Sequence, residues 1–436
     1  MKLRTILPLV AATLLPFGVL PASAAENGSV VFIHPDGTGL GHWNAARHLY
    51  AGPDGMLNWD RMERLGAYRV HQKNWLSTTS HAGATVHAFG KKVHFDSYGM
   101  DRKEPLSAAS GKPMSIMMEA MEAGIRCGIV NSGHIGEPGT GVFLASSPER
   151  GMVESIAVDV LESGAEVIFC GGEIYLLPEG VTGQHGQQGV RKDGRNLLEE
   201  AKERGYTIIY TRNELMELPA DTEKVIGIFA AVDTYNDRPE KELAEAGLPT
   251  YDPAAPTFDE MTEVALRLLS HDPEERFFLV AEEEGTDNFS NAVNASGMLD
   301  AIGRADEAIG NVMDFQQTQP DRKTLLLVGA DSDAGHPTVW APINPGEDYL
   351  LPDTSGSGAM LDGVDGTGGR PFLSKPDQFG NRYPFGIAWA TTGDFPGSDV
   401  IKAHGFGSGH LGVNVDNTKP YAIMYRVLFG HAPGDR

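Results

Sequence analysis

The sequence predicts an α/β fold: a three-layer αβα sandwich in which helices cover both faces of a mostly parallel central sheet. Strand-like apolar runs alternate with helix-like periods along most of the 436 residues. Such alternation is typical of parallel sheets, because a helix returns the chain to the starting edge between strands. In this architecture, ligands bind beyond the carboxyl ends of the strands.

The predicted elements follow one another without an internal repeat or a clear linker. The predicted strands are 29–33, 127–130, 167–170, 207–210, 277–280 and 324–328. The predicted helices are 44–47, 113–123, 155–163, 194–204, 258–270 and 298–315, with a further helix after Ser80. The segment 346–383 is rich in Gly, Pro, Ser and Asp. A disordered insert is one interpretation, but we favour an ordered cap or loop near the functional site.

The first 24 residues are typical of a signal peptide. Lys2 and Arg4 precede an apolar run from 5 to 20, and Ala22-Ser23-Ala24 fits the small-x-small cleavage pattern. We therefore expect cleavage after Ala24, a periplasmic or secreted protein, and one domain over residues 25–436.

Charge and cysteine content restrict the classes of partner. The net charge of -24 disfavours nucleic acid and anionic lipid, so we expect neither a nucleic-acid nor a membrane partner. The two cysteines, Cys127 and Cys170, both lie in apolar strand-like runs. Export permits a disulfide, but buried free thiols explain them equally well.

Acidic side chains follow three predicted strands, within three residues of the end of each strand. Asp36 follows the first strand, 282–287 follow strand 277–280, and 331–333 follow strand 324–328. Carboxylates grouped at one sheet edge repel one another unless cations bind among them. Strand-end solubility explains a single aspartate, but three clusters at one edge favour a metal site.

A run of hydroxyl and small side chains, residues 76–85, precedes a predicted helix. Ser80 in this run lies near a helix N-terminus, where exposed amides and the helix dipole favour an anion. A plain helix cap is the alternative explanation.

Together these segments resemble the alkaline phosphatase family. Residues 29–39 through 45–47 resemble its opening strand and metal loop, and 78–85 through 99–101 resemble its nucleophile block. Shorter similar stretches are 145–150, Gly171-Gly172 with Tyr175 and Pro178, 191–195, and 416–418. The resemblance extends over most of 28–430 and implies one alkaline phosphatase-like catalytic domain.

The resemblance also implies roles for single residues. Ser80 falls on the phosphorylated serine, although Thr79 replaces the aspartate that usually precedes it, and Arg150 falls on the phosphate-binding arginine. Asp333, two residues past an implied ligand, is a further oxygen donor. The metal ligands implied are Asp36, Thr140 (offset by one residue in spacing), Glu282, Asp287, Asn291 and Asp331.

This chain departs from the family at three zinc-binding histidines. The aligned positions carry Asn291, Ser332 and Phe395. One explanation is that other histidines replace them; those available are His34, His81, His134, His336, His404 and His410. The explanation we favour is a changed metal: two to three divalent cations, with magnesium, calcium or manganese preferred to zinc by oxygen donors.

The activity implied is phosphate monoester hydrolysis through a phosphoserine on Ser80, with a small-molecule phosphate ester as substrate. One alternative is a phosphodiesterase or sulfatase of the same superfamily. Another is a phosphate-binding protein without turnover. The oligomeric state stays open, with a homodimer as one option.

Overall fold

The computed structural model describes residues 27–343, 345–346 and 348–435, so the predicted signal peptide lies outside the described residues. The strands are β1 Ser29–Pro35, β2 Arg64–Arg69, β3 Met100–Asp101, β4 Glu104–Pro105, β5 Arg126–His134, β6 Val167–Gly171, β7 Thr207–Ile209, β8 Val225–Ile228, β9 Phe277–Glu283, β10 Thr324–Gly329, β11 Pro337–Trp340, β12 Met360–Gly363, β13 Gly366–Thr367, β14 Phe372–Leu373, β15 Pro384–Trp389, β16 Val400–Gly405 and β17 Asn414–Asp416. The helices are α1 Leu40–Ala46, α2 Ser80–Phe89, α3 Ile116–Glu122, α4 Pro138–Gly141, α5 Val153–Glu162, α6 Leu197–Glu203, α7 Arg212–Met216, α8 Glu240–Ala246, α9 Phe258–Leu269, α10 Gly285–Asn291, α11 Ala295–Thr318 and α12 Lys419–Phe429.

Within the described residues, the central sheet has ten strands in the order β17-β2-β16-β10-β1-β9-β5-β6-β8-β7. From β10 to β7 every neighbouring pair is parallel. The predicted mostly parallel α/β sheet is therefore confirmed. Strand β16, which pairs antiparallel with both β10 and β2, extends the sheet beyond the strands that the sequence predicted.

Alternate residues of β1 face two different apolar cores. Val30 and Phe32 pack with residues of α2, α3, α5 and α12 on one face. Val31 and Ile33 pack with residues of α1, α9 and α11 on the other face. Because successive strand side chains point to opposite faces, the alternation places His34 on the face of α2.

The segment 346–383 contains short strands of a smaller sheet. Strands β12 and β14 pair with β15, which also pairs with β11. The sheet is held beside the start of α11, where Asp362 Oδ2 accepts a hydrogen bond of 2.9 Å from the Ala295 N–H. This glycine-rich segment is therefore partly a sheet.

Both cysteines lie in the core. Cys127 and Cys170 are both buried free thiols, so of the two alternatives the reduced form is present. Among the helices within the described ranges, none combines the length and the apolar character needed to cross a bilayer.

Glu283 is a structural carboxylate on the α11 side of β9. It is fully buried, and its oxygens accept from Arg304 Nε at 3.0 Å and Arg304 Nη2 at 3.1 Å. Ser132 Oγ donates a third hydrogen bond of 2.9 Å.

Glu283→Gln is therefore expected to lower the free energy of unfolding by about 3 kcal/mol, because it leaves a largely buried guanidinium without its carboxylate. The measurement is urea-induced unfolding. Glu203→Gln, at an exposed position on α6, should change stability by less than about 0.5 kcal/mol. Equal effects of the two substitutions would contradict a structural role for Glu283.

Candidate active site

Three adjacent strands bring the predicted acidic residues to one edge of the sheet. Strand β1 lies between β9 and β10, and His34 is the register partner of Glu282. The loops after these three strands therefore begin side by side. Asp36, Asp287 and Asp331 are all buried there.

The first group of ligand atoms consists of His34, Asp36 and Asp331. His34 Nε2 lies 3.7 Å from Asp36 Oδ1 and 4.0 Å from Asp331 Oδ1. His34 Nδ1 lies 3.2 Å from Glu282 Oε1. Because a carboxylate accepts only, the proton belongs on Nδ1, and Nε2 presents its lone pair to the two aspartates. This is the arrangement of a metal-binding histidine oriented by a carboxylate.

The second group shares Asp36 with the first. One carboxylate oxygen each from Asp36, Glu284 and Asp287 lie within 4.8 Å of one another. Asn291 Nδ2 donates to Asp287 Oδ2 at 2.8 Å, so the carbonyl oxygen of Asn291 remains as a donor to a cation. Asp394 is the main electrostatic neighbour of Asp287.

Glu282 and Thr140 lie together, as the sequence predicted. The Thr140 N–H donates to Glu282 Oε2 at 3.1 Å, and Asn131 Nδ2 donates to Thr140 Oγ1 at 2.8 Å. Gly139 makes this approach feasible, because a Cβ there would lie 1.8 Å from Glu282 Oε1.

Ser80 is the first residue of α2 and is buried. The cap is Thr79, whose side chain accepts from the Ala82 N–H, so the cap explanation applies to Thr79 and not to Ser80. A Cβ at Gly83 would lie 2.3 Å from Asp331 Cβ. Residues three apart share a helix face, so Ser80 is on the face that packs against Asp331.

Arg150 faces the same carboxylates. Its Nη2 donates to Glu137 Oε2 at 2.9 Å, and 41% of its side chain is exposed. Burial lowers the pKa of Arg150, but Glu137, Glu284, Asp36 and Asp287 outweigh it and raise the pKa.

Arg150 also lies near the start of α2, since burial and then Arg150 lower the pKa of His81 to about 4. Glu137 is held from its other side by His134, with Nε2 2.9 Å from Oε1. Arg150 is thus a cation between the start of α2 and the acidic group.

Asp333 is a member of neither group of candidate ligand atoms. Its Oδ2 accepts from the Ser398 N–H at 2.7 Å and Ser398 Oγ at 2.9 Å. His336 Nδ1 also lies 2.7 Å from that oxygen. The structure therefore places Asp333 in a hydrogen-bonded network outside the two groups of candidate ligands.

The residues fit bound cations because many buried polar atoms face one another. The following atoms are buried and accept or donate no hydrogen bond within the described part of the chain: His34 Nε2, Asp36 Oδ2, Glu284 Oε1 and Oε2, Asp287 Oδ1, Asn291 Oδ1, and Asp331 Oδ1 and Oδ2. Buried polar atoms normally have partners, so this concentration favours ions among them.

The same conclusion follows from the electrostatics. Burial raises the pKa of Asp331 well above its usual range, and Asp36, Asp394 and Asp287 raise it further. Burial, Asp394 and Asp36 raise the pKa of Asp287 in the same way. Cations between the carboxylates would remove this repulsion.

Sequence reasoning missed two acidic residues of this region. Phe395 was aligned with the last family histidine, but its side chain is 43% exposed and lies against His336. Its neighbour Asp394 faces Asp287 and Asn291 instead. Glu284 was hidden in the run 282–284, where composition does not show which carboxylate faces the site.

Comparisons with known proteins agree with this geometry. The family model described as alkaline phosphatase matches residues 27–341. Alkaline phosphatase of Gadus morhua is 24% identical over 91% of this chain and 90% of its own length. The tissue-nonspecific isozyme of Rattus norvegicus is 24% identical over 94% of this chain and 85% of its own.

Solved structures show the same fold. Alkaline phosphatase of Thermus thermophilus superposes with a TM-score of 0.71 at 21% identity, covering 96% of each chain. Alkaline phosphatase of the Antarctic bacterium TAB5 superposes with a TM-score of 0.68 at 21% identity, covering 93% of this chain and 99% of that one. The chain described here belongs to the alkaline phosphatase family of phosphoric ester hydrolases.

Proposed function

We propose that this protein is a cation-dependent phosphate monoesterase with Ser80 as its nucleophile. The observation that carries the proposal is the packing of Gly83 against Asp331, which puts the Ser80 face of α2 against buried cation donors. Arg150, the cation beside the same carboxylates, would bind the phosphoryl group.

The residues that would hold the cations are His34, Asp36 and Asp331 in one group, Asp36, Asp287, Asn291 and Asp394 in a second, and Glu282 with Thr140 in a third. Bound cations would stabilise charge on the phosphoryl oxygens and favour the deprotonated serine. Donors in these groups are oxygens apart from His34, which supports magnesium, calcium or manganese over zinc. A variant of the TAB5 enzyme is described with Mg bound in its M3 site.

The reaction proposed is an in-line displacement in two steps. Deprotonated Ser80 Oγ forms a bond to phosphorus while the bond from phosphorus to the alcohol oxygen breaks, and the departing alcohol takes up a proton from water. A water molecule then attacks the phosphorus of the phosphoserine and loses a proton to solvent, while the bond to Ser80 Oγ breaks to release inorganic phosphate and the serine. Arg150 holds two phosphoryl oxygens in its planar fork throughout.

The test of this function is a comparison of p-nitrophenyl phosphate, bis-p-nitrophenyl phosphate and p-nitrophenyl sulfate with one preparation. We expect the monoester to have the highest kcat/KM. A higher value for the diester or the sulfate would favour the related phosphodiesterase or sulfatase activity. Binding of phosphate without turnover of any ester would favour a binding protein.

Arg150→Lys is expected to raise KM for p-nitrophenyl phosphate and weaken inhibition by inorganic phosphate, each by about tenfold, since lysine keeps the charge but loses the fork. Steady-state kinetics with phosphate as inhibitor measure both effects. The matched control is Arg204→Lys, a surface arginine with 40% exposure that pairs with Glu162. Unchanged phosphate inhibition in Arg150→Lys would remove Arg150 from the site.

A further inference from the structure

We infer that Glu284 is a further cation ligand of this site, binding one ion together with Asp36 and Asp287. The inference rests on the cation-dependent function proposed above. It concerns a residue that neither the motif comparison nor the spacing of the acidic residues singled out.

Glu284 is a buried carboxylate whose oxygens lack the partners that its neighbour has. Its side chain is 0% exposed, and neither oxygen has a hydrogen-bond donor among residues 27–343, 345–346 and 348–435. Glu283, one residue earlier and equally buried, accepts from Ser132 and Arg304. The backbone of Glu284 is itself fixed, since its N–H donates to Ser132 Oγ at 3.0 Å. Glu283 is therefore a hydrogen-bonded structural carboxylate, whereas the oxygens of Glu284 have no donor among the described residues.

The charges that face Glu284 are mostly negative. Glu137, Glu282 and Asp36 are the carboxylates that act on it, and Arg150 is the cation that opposes them. Arg150 donates to Glu137 at 2.9 Å and interacts electrostatically with four acidic groups. One guanidinium does not neutralise this group of carboxylates, and an unbalanced buried charge is costly.

Three carboxylates lie close enough together to bind one cation, which would supply the positive charge that Arg150 alone does not. Oxygens of Asp36, Glu284 and Asp287 lie within 4.8 Å of one another. Asp36 Oδ1 lies toward His34, while Asp36 Oδ2 and Asp287 Oδ1 are among the buried oxygens without a donor. Three converging carboxylates form an oxygen-only set, which suits manganese, magnesium or calcium.

A second explanation is that Glu284 carries a proton instead of binding an ion. The two explanations differ in a property that does not depend on turnover. A protonated glutamate contributes nothing to cation affinity, whereas a ligand does, and the isosteric amide changes affinity only in the second case.

The experiment is Mn²⁺ titration of the metal-free full chain without substrate, with free Mn²⁺ measured by electron paramagnetic resonance. We expect Glu284→Gln to lose one bound Mn²⁺ per chain or to weaken one site at least about tenfold, as loss of one charged ligand does. The control is Glu119→Gln, a buried glutamate on α3 that accepts from Tyr425 and should bind Mn²⁺ as the wild type does.

Thermal unfolding shows whether the variant is folded. Without cations, Glu284→Gln should melt no lower than the wild type, because it removes an unbalanced charge; with saturating Mn²⁺, it should gain less than the wild type. Wild-type stoichiometry and affinity in Glu284→Gln would overturn the inference and leave the proposed function intact. Failure of the wild type itself to bind Mn²⁺ would contradict the proposed function.

Discussion

Replacing Ser80 with alanine is expected to lower kcat for p-nitrophenyl phosphate by at least about a thousandfold, because Ser80 is the nucleophile proposed for the covalent step. The fold should persist, since Ser80 is not the cap of α2. Steady-state kinetics and thermal unfolding of the variant measure the two expectations.

Thr79→Ala is the matched control for that experiment. Thr79 Oγ1 accepts from the Ala82 N–H and donates to the Phe95 carbonyl at 2.6 Å. Its loss should cost about 1 kcal/mol of stability and reduce kcat far less than Ser80→Ala. Near wild-type kcat in Ser80→Ala would show that the serine is a helix residue and not the nucleophile.

Removal of divalent cations is expected to abolish turnover to a similar extent, by about a thousandfold or more, because both the phosphoryl group and the serine depend on them. Addition of magnesium, calcium or manganese to the metal-free protein should restore activity, and zinc should restore little. The reason is the donor set: the candidate ligands offer one imidazole nitrogen, His34, among many oxygens, whereas zinc prefers nitrogen and sulfur.

The variant His34→Asn tests how much the imidazole nitrogen contributes to the metal preference. The substitution removes the nitrogen donor next to Asp36 and Asp331, so it should weaken zinc binding more than magnesium binding. Calorimetric titration of the metal-free variant with each ion measures the difference. Full recovery of the wild type with zinc alone, at two zinc ions per chain, would contradict the predicted metal preference.

The sequence was sufficient for the parallel core of the fold. The apolar runs at 29–33, 277–280 and 324–328 lie in buried strands, and an acidic residue follows each run within three residues. Local patterns carry this information, because buried parallel strands are continuously apolar. The smaller sheet was harder to predict from the sequence. Strands such as Gly366–Thr367 have only two residues, and their pairing depends on tertiary contacts instead of a local pattern.

Sequence spacing predicts which residues follow each strand at the edge of the sheet. It does not predict whether a given side chain points toward the candidate ligands or toward other partners. Asp333 follows Asp331 by two residues and offers the same chemistry, but it accepts from Ser398. His34 was one of six available histidines, and only the pairing of β1 with β9 shows that it meets Glu282. Asp394 was missed because the sequence comparison aligned its neighbour Phe395 with the family histidine, and the sequence alone does not show that the residue facing Asp287 is one position earlier.

Acid trapping of the enzyme during turnover, followed by mass spectrometry of its peptides, tests whether Ser80 is the nucleophile. With p-nitrophenyl phosphate and Mg²⁺, we expect one phosphoryl group on Ser80. The label should be absent after chelation and in Ser80→Ala. A phosphoryl group on another residue, or rapid turnover in Ser80→Ala, would contradict the assignment of Ser80 as the nucleophile.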